Sequence, residues 1–397
     1  MKYLNWTILA ILLMAPVLSS KSTLAEPTPL KLNANDPLLP PMLDGKLTPF
    51  RERLLRESCE KLNQQAQILL NKAQADKAFT LWYRELNLRH YLGIKEEIES
   101  LGRVGKIAWD NNRPNDIKII TKKLQSIQAD LENNKQINLQ TLDLLFNAFQ
   151  NVHSLDDLLL VQQRKLDLVE KDSLAQEANL EATAKIYLAK FDFPEAAKIY
   201  EILLKKVQSR SDSVKEAEYL QKLTEIYDQQ SQPTSSIVNK ERLAIIYGQK
   251  QQFNLLVSLL ISIGNDYRSL KDYPRAVENY QKAFNLAWSL KYLGFAEEAL
   301  GNIADLYAQN KQFDYALSAY RSLIVIQKKS YNYYGLMQSY DKMGDIYFAN
   351  QNYNLALDCY KNSLKFAQSL KYQTDVLIKK IQKTQQTRVQ KQIKNAL

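Results

Sequence analysis

The sequence predicts an all-α protein: a solenoid of about eight antiparallel helix pairs closed by a C-terminal capping helix. Three observations predict it. Gly and Pro are scarce, at 10 and 11 of 397 residues, and five of the prolines lie between residues 27 and 41, so the rest of the chain is nearly free of helix breakers. Small and aromatic residues return at a forty-residue step, the mark of a repeat architecture. Within each copy they stand three or four apart, on one face of a helix. A composition of 45% apolar and 24% charged residues is ordinary for a folded soluble protein.

Residues 1–25 read as a secretory signal: Lys2, the apolar run ILAILLMAPVL, then Thr23 and Ala25 as small residues before a cut. The run is shorter than the roughly 20 residues of a spanning helix, which favours cleavage over retention as an anchor. Export to a periplasm, a lumen or the extracellular space is therefore expected. Residues 26–46 are Pro-rich and without helical periodicity, and read as a disordered or extended leader. Export permits disulfides, but only Cys59 and Cys359 are available, and 300 residues of an elongated array separate them. Two separate buried thiols are expected.

Residues 47–176 hold divergent repeats. Leu69, Trp109 and Phe149 keep the forty-residue step, and the first copy also carries Ala66, Ala75, Ala78 and Trp82. Residues 177–372 hold the clear copies. Gly264 returns as Ala304 and Gly344, Tyr267 as Tyr307 and Tyr347, Ala276 as Ala316 and Ala356, and Tyr280 as Tyr320 and Tyr360. Ala184, Tyr187, Ala196 and Tyr200 form an earlier copy. The intervening one is degraded, with Thr224 and Ser236 at small positions and Lys240 at an aromatic one. Small residues let helix backbones approach, and the rings fill the wedge between pairs. Pro194 and Pro274 fit the first position of a second helix, where a missing N–H costs nothing. Residues 373–397 read as a basic capping helix with a stripe of Val376, Leu377, Ile378, Ile381 and Val389. Residues 371–397 carry seven Lys or Arg against one Asp, so most of the net charge of +10 belongs to the tail and not to a groove suited to nucleic acid. A solvated cap explains that charge; contact with an anionic membrane or cell-wall surface is the sharper alternative.

This pattern resembles the tetratricopeptide repeat family, and the forty-residue period is similar to that of kinesin-light-chain-type repeats. The resemblance implies a right-handed superhelix whose concave face, lined by the first helix of each pair, holds protein or peptide partners. Helical phase aims Asn265, Glu298, Asn302, Asp305, Gln309, Gln338, Asp341, Lys342 and Asp345 at that face, and Glu181, Lys185, Gln221, Glu225 and Asp228 in earlier copies. Some family members clamp a partner's terminal carboxylate with two lysines, two asparagines and an arginine. Here Asn265 and Asn302 match the asparagines and Lys342 stands in for the arginine, but Ile261 and Gln338 occupy the lysine positions, so such a carboxylate would be poorly held. Tyr331, Tyr333 and Tyr334 form a second candidate surface.

No phosphate loop, no GxSxG and no HExxH occurs, and His90 and His153 have no liganding neighbours at useful spacing. The expectation is a non-catalytic scaffold without cofactor or metal, with an assembly or adaptor role. A peptide-sensing module and an envelope-anchored structural protein are the alternatives.

Overall fold

A computed structural model describes residue 30 and residues 32–42 and 46–396, which form two units, one ending at Val169 and the other beginning at Glu170. The expected signal at residues 1–25 lies outside the described residues. Unit 1 contains α1 (Pro49–Asn71), α2 (Ala75–Arg89), α3 (Ile94–Asp110), α4 (Pro114–Asn133), α5 (Leu139–Asn151) and α6 (Leu155–Leu168). Unit 2 contains α7 (Leu174–Ala189), α8 (Phe193–Ser209), α9 (Ser213–Gln229), α10 (Pro233–Gln249), α11 (Phe253–Ser269), α12 (Tyr273–Ser289), α13 (Leu293–Gln309), α14 (Phe313–Lys329), α15 (Tyr333–Ala349), α16 (Tyr353–Leu370) and α17 (Thr374–Ala396). The described residues thus hold the eight pairs and the capping helix that the spacing predicts.

In unit 2 the true unit of length is a single helix. From α8 to α15 every helix has 17 residues and every connection three, so the chain repeats each twenty residues. The connections within pairs and between pairs are built alike. One residue, at every twentieth position from Phe191 to Lys371, adopts a left-handed φ of +52° to +60°. The next residue's N–H bonds back to the helix just ended, as in Asp192 to Tyr187 O at 2.9 Å and Asp272 to Tyr267 O at 2.9 Å. That same residue then caps the following helix: the side chains of Asp192, Asp212, Asp272 and Asn332 accept the N–H three residues on. Pro194 and Pro274 stand at the second helical position, one later than expected, because Phe193 and Tyr273 are already helical.

The core follows the small-and-ring pattern. A Cβ built on Gly264 would lie 2.5 Å from Tyr280 Cε1, and one on Gly344 would lie 2.5 Å from Tyr360 Cε1. Each ring sits sixteen residues after the small residue it covers, and Ala184 with Tyr200 and Ala304 with Tyr320 keep the same spacing. These side chains are all buried, as are Ala196, Ala276, Ala316 and Ala356. Tyr267 and Tyr347, on the first helices, reach the preceding pair, where Tyr267 donates to Glu241 at 2.9 Å and Tyr347 accepts from Arg321 at 2.8 Å. Tyr187 and Tyr307 are partly buried against their clusters.

Unit 1 obeys the pattern in its first pair only. Trp82 follows Ala66 by sixteen residues, is fully buried, and donates to Asn63 at 3.0 Å. Beside it Glu85, with no exposed surface, accepts from Arg89 and Arg103, and Arg89 also reaches Glu60 and Glu96, tying α1, α2 and α3 together. Trp109 does not fill a wedge. It is 38% exposed and stacks on His153 at 3.8 Å, because Gly102 and Gly105 bring α3 directly against Ala148 and Val152.

The described part of the Pro-rich segment makes turns, with the Asp36 N–H bonded to Asn33 O at 3.2 Å and the Leu39 N–H to Asp36 O at 2.9 Å. Asp36 makes a two-pronged bond to Arg84 at 2.8 Å, which holds its carboxyl below the usual range, and Leu38 and Leu39 pack on the cluster of Leu55, Cys59, Leu62 and Leu88. Cys59 and Cys359 are free and buried, and burial pushes their thiols up to about 12 and about 11. Such thiols are poor nucleophiles.

Candidate partner-binding cleft

The odd-numbered helices of unit 2 carry the side chains that the sequence aims at a partner, and the structure sorts them into three groups. The first serves the buried rings. Tyr280 donates to Asn265 at 2.7 Å, Tyr360 to Asp345 at 2.8 Å, and Tyr320 to Asp305. Each acceptor follows the small residue under the ring, so the amide or carboxylate satisfies a hydroxyl that burial would otherwise strand.

The second group is neutralised within the chain. Lys185 covers Glu181 at 2.6 Å and Lys222 covers Glu225 at 2.9 Å. Lys342 covers Asp305 at 2.7 Å, and Lys380 of α17 covers Asp341 at 2.7 Å and Asp345 at 2.9 Å. Asp228 meets Lys240, the residue that replaces a tyrosine. Lys240 is 2% exposed, and its ammonium sits between Asp228 at 3.0 Å and Asp266 at 2.7 Å. Gln221 donates to Tyr247.

The third group lines a cleft of about 370 Å³. Glu298, Asn302 and Asp305 of α13 form one wall and Gln338 and Lys342 of α15 the other, with Tyr320, Leu323 and Gln327 of α14 at the base. The sequence reading did not mark Gly294, Gly301, Glu297, Asn332 or Ser339, which complete the lining. Gly335 is there for room: a Cβ would come 2.7 Å from Asn332 Nδ2 and Gln327 Nε2. Asn332 meanwhile caps the Gly335 N–H at 2.9 Å and donates to Glu297 at 2.6 Å. A second cleft of about 720 Å³ adjoins the first, lined by Asn254, Tyr292, Leu293, Gly294, Phe295 and Glu298. Gln309 is exposed near the far end of α13 and lines neither cleft.

Two surfaces differ from simple expectation. Tyr331 is 76% exposed in a connection, Tyr333 stacks near Phe366, and Tyr334 lines the cleft while accepting from Gln338 at 2.9 Å. In α17 several cations contact the neighbouring helices: besides Lys380, Arg388 donates to Asn354 at 3.1 Å, Lys391 to Gln351 at 2.5 Å, and Lys383 lies 5.6 Å over the Phe348 ring. A charge count cannot see those contacts. Among the described residues, no group of three or more candidate ligands could hold a metal, and no helix is long and apolar enough to cross a membrane.

This packing, with a small residue beneath a ring in each pair, is the arrangement that resemblance to tetratricopeptide repeats implies. No protein-family profile matches the chain. A stretch of 96 residues is 34% identical to protein bimA of Emericella nidulans, covering 24% of this chain and 11% of that relative. Among solved structures, the chain is similar to a signal-transduction ATPase with a tetratricopeptide repeat sensor from Pyrococcus horikoshii (13% identity, 86% of this chain and 50% of that one, TM-score 0.43). It is also similar to a putative kinesin light chain with nearly identical repeats from Podosopora anserina (14% identity, 48% and 96%, TM-score 0.36). BtubC from P. vanneervenii is similar at 16% identity, over 55% of this chain and 92% of that one, with a TM-score of 0.38.

Proposed function

We propose that unit 2 is a non-catalytic scaffold that binds a protein or peptide through the cleft between α13 and α15, in a chain exported by residues 1–25. The cleft between two parallel first helices carries this reading. It presents Asn302 and Gln338, whose amides both donate and accept and so suit a peptide backbone. Its one cation is held by Asp305, so a terminal carboxylate is not its guest. Four α17 cations also contact side chains of the neighbouring helices, most of them at the surface.

The test is a photo-reactive phenylalanine analogue placed in the full chain at Asn302, or at Val325, which is 54% exposed on α14. Irradiation in the native extract should trap one defined partner from position 302 and little from 325. Equal trapping, or trapping from 325 alone, would overturn the assignment of this cleft.

A further inference from the structure

Glu298 differs from every other carboxylate that the sequence aims at this face. Glu181, Glu225, Asp228, Asp305, Asp341 and Asp345 each have a lysine of the chain within 3.0 Å. Glu298 has no cation and no hydrogen-bond donor among the described residues. It is accessible to solvent, yet the surrounding walls remove enough water to raise its carboxyl above the ordinary range. An unmatched carboxylate on a face whose other carboxylates each hold a lysine leaves a place for a cation from outside.

Its position is equally informative. Glu298 is shared by the two adjoining clefts. On one side lies Tyr292, 39% exposed, and on the other Tyr334, 46% exposed. A carboxylate flanked by tyrosine rings suits a guanidinium or ammonium group, which pairs with the charge and lies over the rings. We propose that Glu298 sets the specificity of the cleft by receiving an arginine or lysine side chain of the bound peptide, while Asn302 and Gln338 hold its backbone. This rests on the scaffold reading above and adds the chemistry of the guest.

The probe is an array of 12-residue peptides identical except for one central Arg, Lys, Gln or Glu, read with the labelled full chain. Retention of Arg and Lys peptides should exceed that of Gln by about tenfold, the worth of one hydrogen bond to a charged group. Glu298→Gln should remove the preference, and Glu298→Lys should turn it toward Glu, with melting unchanged since Glu298 supports no contact. The preference should also fade as pH falls through the raised pKa of Glu298, because only the carboxylate holds a cation. Retention indifferent to the central charge, with the Asn302 cross-link intact, would overturn this proposal and leave the scaffold reading standing. Retention of no peptide, together with no cross-link from Asn302, would overturn both.

Discussion

Gly264→Ala is expected to destabilise α11 and α12 in the native protein and to stabilise them once Tyr280 is gone. With Tyr280 present, the added methyl meets the ring at 2.5 Å, and overpacking of that kind costs about 1–3 kcal/mol. Tyr280→Ala alone empties a fully buried site and should cost about 3–5 kcal/mol. In that background the methyl has room, and the helix gains about 1 kcal/mol because Ala is the better helix former. Tyr280→Phe separates the hydroxyl from the ring; losing the bond to Asn265 should cost about 1 kcal/mol. Amide exchange of α11 and α12 under rising urea reads these changes without requiring the whole array to unfold in one step. A methyl with the same effect in both backgrounds would show that ring and glycine are not coupled.

Lys240→Met should lower the stability of unit 2 by about 1–3 kcal/mol at neutral pH, since it leaves the exposed Asp228 and the half-buried Asp266 facing each other without their cation. The pH dependence follows from Asp266. Burial raises its pKa above the ordinary value, against the pull of Lys240. A carboxyl raised in this way favours folding when protonated and loses that contribution as pH rises through its folded pKa. Without Lys240 the pKa rises further, so the deficit should shrink as pH falls from neutral toward about 4. Denaturant melts at several pH values measure it. Lys240→Tyr alone should not repair the repeat, because Thr224 stands where Gly264 stands, and its buried hydroxyl has no partner. Adding Thr224→Gly opens the place for the ring and should recover stability.

That comparison shows how much of the fold was legible. The forty-residue step of small residues and rings could be read from 184 to 360, and it marked the copy at 240 as irregular. The sequence could not show that Lys240 is buried between two acids, since that needs Asp228 and Asp266 brought together from two pairs. The twenty-residue helix unit was hidden for another reason. Its left-handed positions hold Phe191, Ser211, Lys271 and Tyr331, not glycine, so the usual turn signal is missing. A usable signal was present one residue on, where Asp192, Asp212, Asp272 and Asn332 recur as caps. In unit 1 the close approach at Gly102 and Gly105 and the clasp of Asp36 by Arg84 have no periodic signature.

The site was legible in outline. Helical phase placed Glu298, Asn302, Asp305, Gln338 and Lys342 on facing helices, and they meet in one cleft. It could not tell which of these were already engaged. Asn265, Asp305 and Asp345 look like free polar groups in sequence, and each accepts from a buried tyrosine. Only the pairing of lysines across repeats leaves Glu298 as the open charge.

Amide exchange of the full chain, alone and with its trapped partner, tests the central claim most directly. The account predicts new protection in α13 and α15, strongest around Glu298 to Asp305 and Tyr334 to Lys342. Protection confined to α12, α14 and α16, with α13 and α15 exchanging as before, would contradict it.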